Sequence, residues 1–247
     1  MPFVYAMWEG GAAALNRTDE WSDIDVQFDV DDAHADQVIP LLEQTLIALS
    51  PIELRFPVTQ SVFQLHAQVF YRLRDTSPFL LIDAAVIKHS SAAKFLEPEI
   101  HGNAIVHFDK ANVTRTAGVD ALGWKKQLAA RVESLRTTFR LFQVLTLKEL
   151  NRHNSLEAFS FYQAYTIRPL VELLRIRYSP YHYNFHTRYI HYELPRDVIG
   201  RLESLVFVSS AEDIRAKREQ AEQWFNEMLA QFDAGAGERN PDGTNLA

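Results

Sequence analysis

Two short stretches constrain this chain most: the Gly10-Gly11 pair, and the triplet Asp23-Ile24-Asp25 that follows it. Residues 3–8, Phe-Val-Tyr-Ala-Met-Trp, read as a strand feeding the glycine turn. The two aspartates then sit at the start of a second apolar run, 23–30. Side chains at i and i+2 of a strand share a face. Asp23 and Asp25 therefore project together, with Ile24 and Val26 turned the other way. Adjacent carboxylates repel, and a cation between them relieves the repulsion. A glycine turn beside them lets backbone N–H groups approach a phosphate. Carboxylates, a hard metal and a phosphate cradle are the working parts of phosphoryl or nucleotidyl transfer. Taken singly, each feature also has a plain structural reading: a solvated strand edge for Asp-x-Asp, and an ordinary turn for Gly-Gly.

A further carboxylate, Asp83, stands alone in the apolar run 79–87. Alternation around it is poor, which suits a central strand. An unpaired aspartate buried there would cost several kcal/mol, so a metal or a partner is expected. On an edge strand it would simply face solvent.

The stretches 52–58, 66–73 and 79–87 read as more strands, and Asp75-Thr76-Ser77-Pro78 makes the last two a hairpin. Between 31 and 51, Val38, Leu41, Leu42, Leu46 and Leu49 fall at helical spacing. Pro40 favours Asp36 as N-cap, because proline is tolerated only near the first turn. A short apolar piece at 104–108 is a last strand or a linker. Beyond it the pattern is helical. Leu128, Val132, Leu135, Phe139, Phe142 and Leu145 form one stripe; Leu156, Phe159, Gln163, Ile167, Leu170 and Leu174 form a second. Ile214, Ala221, Trp224, Phe225, Met228 and Phe232 form a third, broken at Lys217. The expected class is α+β: a mixed sheet with helices over 1–112, an antiparallel helical bundle over 113–233, and a disordered tail over 234–247.

The order of apolar strand, Gly-Gly, short gap and Asp-apolar-Asp-apolar resembles the motif of the polymerase-β-like nucleotidyltransferase superfamily. Eleven residues separate Gly11 from Asp23, which fits that pattern. The superfamily carries a third carboxylate on a later strand, where this chain has Asp83. The motif covers roughly residues 3 to 90; beyond it, the helical pattern is similar to the C-terminal domains of aminoglycoside and lincosamide nucleotidyltransferases. The superfamily usually has a helix before the first strand, and this sequence opens almost at the strand. Either the native start lies upstream or this branch lacks the helix.

The resemblance implies an N-terminal domain of nucleotidyltransferase type. Asp23, Asp25 and Asp83 would be the catalytic and metal-holding carboxylates. They would hold two Mg²⁺ ions with a nucleoside triphosphate, ATP being the first choice as co-substrate. Gly10 and Gly11 would cradle the phosphates, and Ser22 would hydrogen-bond one of them. Asp83 could also take the proton of the attacking hydroxyl. The acceptor would be a hydroxyl of a small molecule, an antibiotic among the candidates, bound in a cleft between the domains. Two alternatives stand beside it: a regulatory, antitoxin-like transferase that modifies a partner protein, and a catalytically silent nucleotide-binding module. Some relatives of this type are homodimers.

Composition narrows the setting. The chain has 247 residues, 47% of them hydrophobic, enough for two small cores. It lacks an apolar run long enough for a transmembrane helix and the layout of a signal peptide. Having no cysteine, it has neither disulfides nor thiolate metal sites, and the cytoplasm is the simplest compartment. The net charge of −7 disfavours a nucleic-acid partner and suits a cationic substrate.

Other residues carry open readings. His182, His186 and His191 are a zinc site or an aromatic connection on the bundle, with Arg188 and Tyr189 as cleft-lining candidates. Arg168 either holds a triphosphate or pairs with Glu172 at i+4. Glu149 and Glu157, in a charged cluster with Lys148 and Arg152, are a base or a solvated helix end. Trp8 and Trp21 flank the glycines. Either could stack on a base, and Trp8 suits the core.

Overall fold

The computed structural model describes residues 1–59 and 65–237. The chain divides into two compact units, Met1–Val119 and Asp120–Ala247. In the first, β1 (Val4–Glu9) leads into the single-turn helix α1 (Gly11–Ala14), then β2 (Ile24–Val30). A 3-10 segment (Asp32–Gln37) and α2 (Val38–Leu49) follow, then β3 (Ile52–Pro57), β4 (Ala67–Leu73) and β5 (Ile82–Lys88). The unit ends with α3 (Pro98–His101) and β6 (Ile105–Asp109), so the apolar piece is a strand from Ile105 on. The described strands form one mixed sheet, ordered β3-β4-β5-β2-β1-β6. β2 and β5 are its central, parallel pair, and the neighbouring pairs are antiparallel.

Alternation gives this sheet two different faces. Val26, Phe28 and Val30 of β2, Ile82, Ala84 and Val86 of β5, and Val69, Tyr71 and Leu73 of β4 lie on one side. There they pack against Ala35, Val38, Ile39 and Leu46 of the 3-10 segment and α2. The opposite face carries a small apolar cluster of Ala6, Trp8, Ile87 and Leu96, together with Asp25, Gln27 and Asp29 of β2 and Asp83 of β5. Trp8 is therefore core, at 1% exposure.

Helix entry differs from the expectation. Asp31, not Asp36, caps the segment, accepting from the Ala33 N–H at 3.1 Å. A 3-10 turn takes up the residues before Val38, which leaves Pro40 within the first turn of α2. Asp36 instead meets His66 Nε2 at 2.8 Å.

Asp29 is fully buried, 0% exposed. Lys94 Nζ donates to its Oδ2 at 2.5 Å, and His89 Nδ1 lies 2.7 Å from its Oδ1. A buried charge stripped of its partner is costly. Lys94→Met is expected to lower the stability of the chain by about 3 kcal/mol, read as a shift of the urea midpoint; an unchanged midpoint would contradict this role.

Asp109 closes the loop after β6 by accepting from the N–H groups of Ala111, Val113 and Thr114 and from the Thr114 hydroxyl. Burial pushes its carboxyl up, but these hydrogen bonds outweigh burial and hold it below the usual carboxylate value. A carboxyl lowered in the folded state stabilises above its unfolded pKa of about 4. That contribution is lost as pH falls through the folded value. Asp109→Asn should therefore lower the urea midpoint at about pH 7 and change it far less at about pH 2. An equal loss at both would contradict the assignment.

In the second unit, α4 (Ala121–Asn151) is capped by Asp120, which accepts from the Leu122 N–H at 3.1 Å. α5 (Ser155–Tyr162) passes through a π segment (Gln163–Ile167) into α6 (Arg168–Tyr178). A short α7 (Ile190–Glu193), α8 (Arg196–Val206) and α9 (Ala211–Gly237) complete it. Helix α9 thus continues three residues past Ala234, where the tail was expected to begin; residues 238–247 lie outside the described residues. Val132, Leu135 and Phe139 of α4 are core, with Phe139 stacked on Phe225 at 3.7 Å.

Further along α4 the buried face turns polar: Gln143, Thr146 and Glu149 are buried, while Phe142 and Leu145 are only partly so. Gln143 explains this. Its Nε2 donates to Tyr165 O at 2.9 Å, inside the π segment, and its Oε1 accepts from the Thr166 hydroxyl at 2.9 Å. The wide π turn also shifts the helical phase. Ala158 and Tyr162 face the core, while Leu156 and Phe159 point outward, at 89% and 42% exposure. No described helix is long and apolar enough to cross a membrane.

Candidate active site

Asp25 and Asp83 are direct register partners across the parallel β2–β5 pair. They share the second face of the sheet, near the start of both strands, and both are half-buried. Gln68 on β4 positions Asp83, its Nε2 donating to both carboxylate oxygens at 2.9 Å. Asp23 lies just ahead of β2 and is exposed. Its Oδ1 accepts from the Leu81 N–H at 3.3 Å, and Ile24 N–H donates to Leu81 O at 2.9 Å. The segments leading into the two central strands are thereby tied together.

The glycine turn lies against this pair. Gly10 N–H donates to Asp25 O at 2.8 Å, joining the end of β1 to the start of β2. Gly11 has φ +56°, in the left-handed region. A Cβ there would stand 1.6 Å from Asp25 Oδ2 and 2.6 Å from its Cγ. Only a residue without a side chain lets the Asp25 carboxylate occupy its position. A Cβ at Gly10 would meet the Gln27 amide at 3.1–3.2 Å. Gln27 lies on the same face as Asp25, and its Oε1 is buried with no hydrogen-bond partner. An orphan acceptor beside the carboxylates suits a donor such as the water shell of a hydrated cation.

Among the described residues, no group of three or more His, Asp or Glu side chains is gathered as a metal cluster. That does not argue against Mg²⁺, which is usually held by one or two carboxylates with waters and substrate phosphates, not by an all-protein cage. Two carboxylates side by side, a tight glycine turn on one of them and an unpaired acceptor nearby fit such an ion.

Ser22 sits in a turn with Asp19: its hydroxyl lies 2.9 Å from Asp19 Oδ1 and accepts from the Asp19 N–H at 2.9 Å. Gln68 and Gln27 are the two residues that sequence reasoning missed. Their only signal was alternation within their strands, which puts them on the carboxylate face once the register is known.

In the helical unit, Arg168 is exposed and Glu172 pairs with Arg131, at 2.5 and 2.8 Å, not with Arg168. Glu149 is buried at the end of α4. Hydrogen bonds from Asn154 and Arg152 hold its carboxyl below the ordinary glutamate value despite burial. His182 is buried, with its Nδ1 2.8 Å from Glu193 Oε1 and its ring stacked on Phe185. Glu193 also receives Arg175, whose guanidinium is fully buried and donates to the carbonyls of His186 and Arg188. This network holds the aromatic connection on the bundle. His186 and His191 are exposed and do not join His182 in a metal cluster.

No family model and no curated protein matches this chain. Among solved structures it is similar to the crystal structure of an aminoglycoside 6-adenyltransferase from Bacillus subtilis, at 12% identity and a TM-score of 0.43. The match covers 98% of this chain and 88% of that one. Similarity at that level does not carry residue roles from one protein to the other.

Proposed function

We propose that this chain is a metal-dependent nucleotidyltransferase that moves a nucleoside monophosphate from a nucleoside triphosphate to a hydroxyl of a small molecule. One observation carries the reading. Asp25 and Asp83 stand in register on neighbouring parallel strands, with Gly11 pressed against the Asp25 carboxylate.

Asp25 and Asp83 would hold Mg²⁺, and Asp23, exposed just ahead of β2, would be the third carboxylate beside it. The ion supplies neutralisation of charge on the phosphate oxygens. The backbone around Gly10 and Gly11 would receive the phosphates at close range. Gln68 fixes the rotamer of Asp83, so that this carboxylate can take the proton of the acceptor hydroxyl. The hydroxyl oxygen then forms a bond to the α-phosphorus in line as the bond to the pyrophosphate oxygen breaks. ATP is the first nucleotide to test. A net charge of −7 suits a cationic acceptor, so aminoglycosides are sensible first acceptors to screen.

The test is pyrophosphate release from each of the four triphosphates, with Mg²⁺ and then with EDTA, across a panel of hydroxyl-bearing cationic compounds. Release that needs Mg²⁺, an acceptor and Asp25 supports the reading. Mg²⁺-dependent nucleotide binding without turnover on any acceptor would favour the second reading, a silent nucleotide-binding module. That alternative draws on the tie between Asp23 and the Leu81 backbone.

A further inference from the structure

Trp21 and Phe79 are large aromatic side chains left more than half exposed, at 56% and 57%. Their rings meet edge to face, 4.8 Å between centroids and 85° between planes. The contrast within the chain is sharp, because Trp8 and Trp224 are buried to 1% and 4%. Exposed apolar rings that cluster forfeit burial energy until something covers them.

The backbone beneath both rings is held in turns. Trp21 N–H donates to Asp19 Oδ1 at 3.0 Å, within the turn that Ser22 closes. Phe79 N–H donates to Ser77 Oγ at 3.3 Å, and Leu80 N–H to Ser77 O at 3.1 Å. These turns lead directly into the two carboxylate strands, and the Leu81–Asp23 and Ile24–Leu81 hydrogen bonds join them. Trp21 is two residues before Asp23, and Phe79 four before Asp83. The aromatic corner and the candidate metal site therefore lie at the same end of the same strand pair.

An edge-to-face pair offers one ring to stack on and a second to close the corner, which a flat π system fills well. Beside carboxylates suited to a metal–phosphate group, the ligand that joins a flat ring to a polyphosphate is a nucleotide. We infer that Trp21 and Phe79 form the platform on which the nucleobase of the triphosphate stacks. This inference rests on the nucleotidyltransferase reading and deepens it by assigning the base-binding residues. Stacking tolerates different bases because each presents a π face. The platform would thus set affinity for nucleotides in general more than the choice among them.

Calorimetric binding of ATP and of inorganic tripolyphosphate, both with Mg²⁺, separates the two ideas. The intact protein, Trp21→Ala, Phe79→Ala and Trp21→Phe are compared. The intact protein should bind ATP more tightly than tripolyphosphate. Trp21→Ala should weaken ATP binding by about tenfold or more, the usual scale for a lost base–aromatic stack. Phe79→Ala should weaken it less, Trp21→Phe should retain most of it, and tripolyphosphate should bind all four proteins alike. Equal ATP affinity in Trp21→Ala and the intact protein would overturn the platform and leave the phosphate site standing. So would parallel losses for both ligands, which would show the rings acting through the shape of the carboxylate site. If the intact protein binds neither ligand, the nucleotidyltransferase reading itself fails, and the platform with it.

Discussion

Asp25→Asn should remove nearly all nucleotidyl transfer and leave the fold intact. The expected loss of turnover is about 10²–10³-fold, the scale of losing a group aimed at transition-state charge. Asp25 faces Asp83 at the same register position of adjacent strands. Like charges placed so oppose folding unless a cation sits with them. Asn keeps the volume and removes one of the two charges, so the variant should lose its response to Mg²⁺ while its fold persists.

Asp29 provides the contrast. It lies on the same strand and the same face, four residues on, but it is fully buried between Lys94 and His89. Asp29→Asn should lose stability and keep most of its turnover per folded molecule. Turnover assays and urea titrations on the two variants check this directly. Full activity in Asp25→Asn would remove Asp25 from the site.

These two aspartates show how much of the site was legible in the sequence. The spacing marks Asp23 and Asp25 and says nothing of Asp29, although period-two alternation puts Asp29 on the same face as Asp25. Burial separates them, and burial depends on Lys94, 65 residues away in sequence. The strands, the hairpin of β4 and β5 and the central position of β5 were legible because turns and alternation are local signals. The parallel pairing of β2 with β5, which brings Asp25 to Asp83, is a long-range choice that no local pattern encodes.

The first half of the second helical stripe failed for a definite reason, while the third stripe is core from Ile214 to Met228. The second stripe assumes unbroken α-helical phase from Leu156 to Leu174, and the π segment at 163–167 breaks it. A wider turn rotates the preceding residues relative to those that follow, and this carries Leu156 and Phe159 off the core face. The polar residues that accompany it, Gln143 and Thr166, lie outside the apolar stripes. In the fold they satisfy a backbone carbonyl and each other. Helix α8, with Val198, Ile199, Leu202 and Leu205 buried, falls outside all three stripes.

Gly11→Ala should be as damaging to activity as Asp25→Asn, by a different route, and the difference is measurable. The added methyl cannot coexist with the Asp25 carboxylate, 1.6 Å from Oδ2. It also enters a backbone conformation at φ +56° that costs an L-residue about 1–2 kcal/mol. Either the carboxylate swings away from Asp83 or the turn gives up its Gly10–Asp25 hydrogen bond. Both outcomes dismantle the geometry on which transfer depends. This variant should therefore lose stability along with turnover.

A double-mutant cycle divides the loss. In an Asp25→Ala background the clashing oxygen is gone, so Gly11→Ala should there cost little more than its backbone conformation. The coupling between the two positions should be about 1 kcal/mol or more, as expected for groups in direct contact. Purely additive effects on the urea midpoint would mean that Gly11 is needed only for its backbone angle. The glycine would then be an ordinary turn residue, and its place against the carboxylate would carry no functional weight.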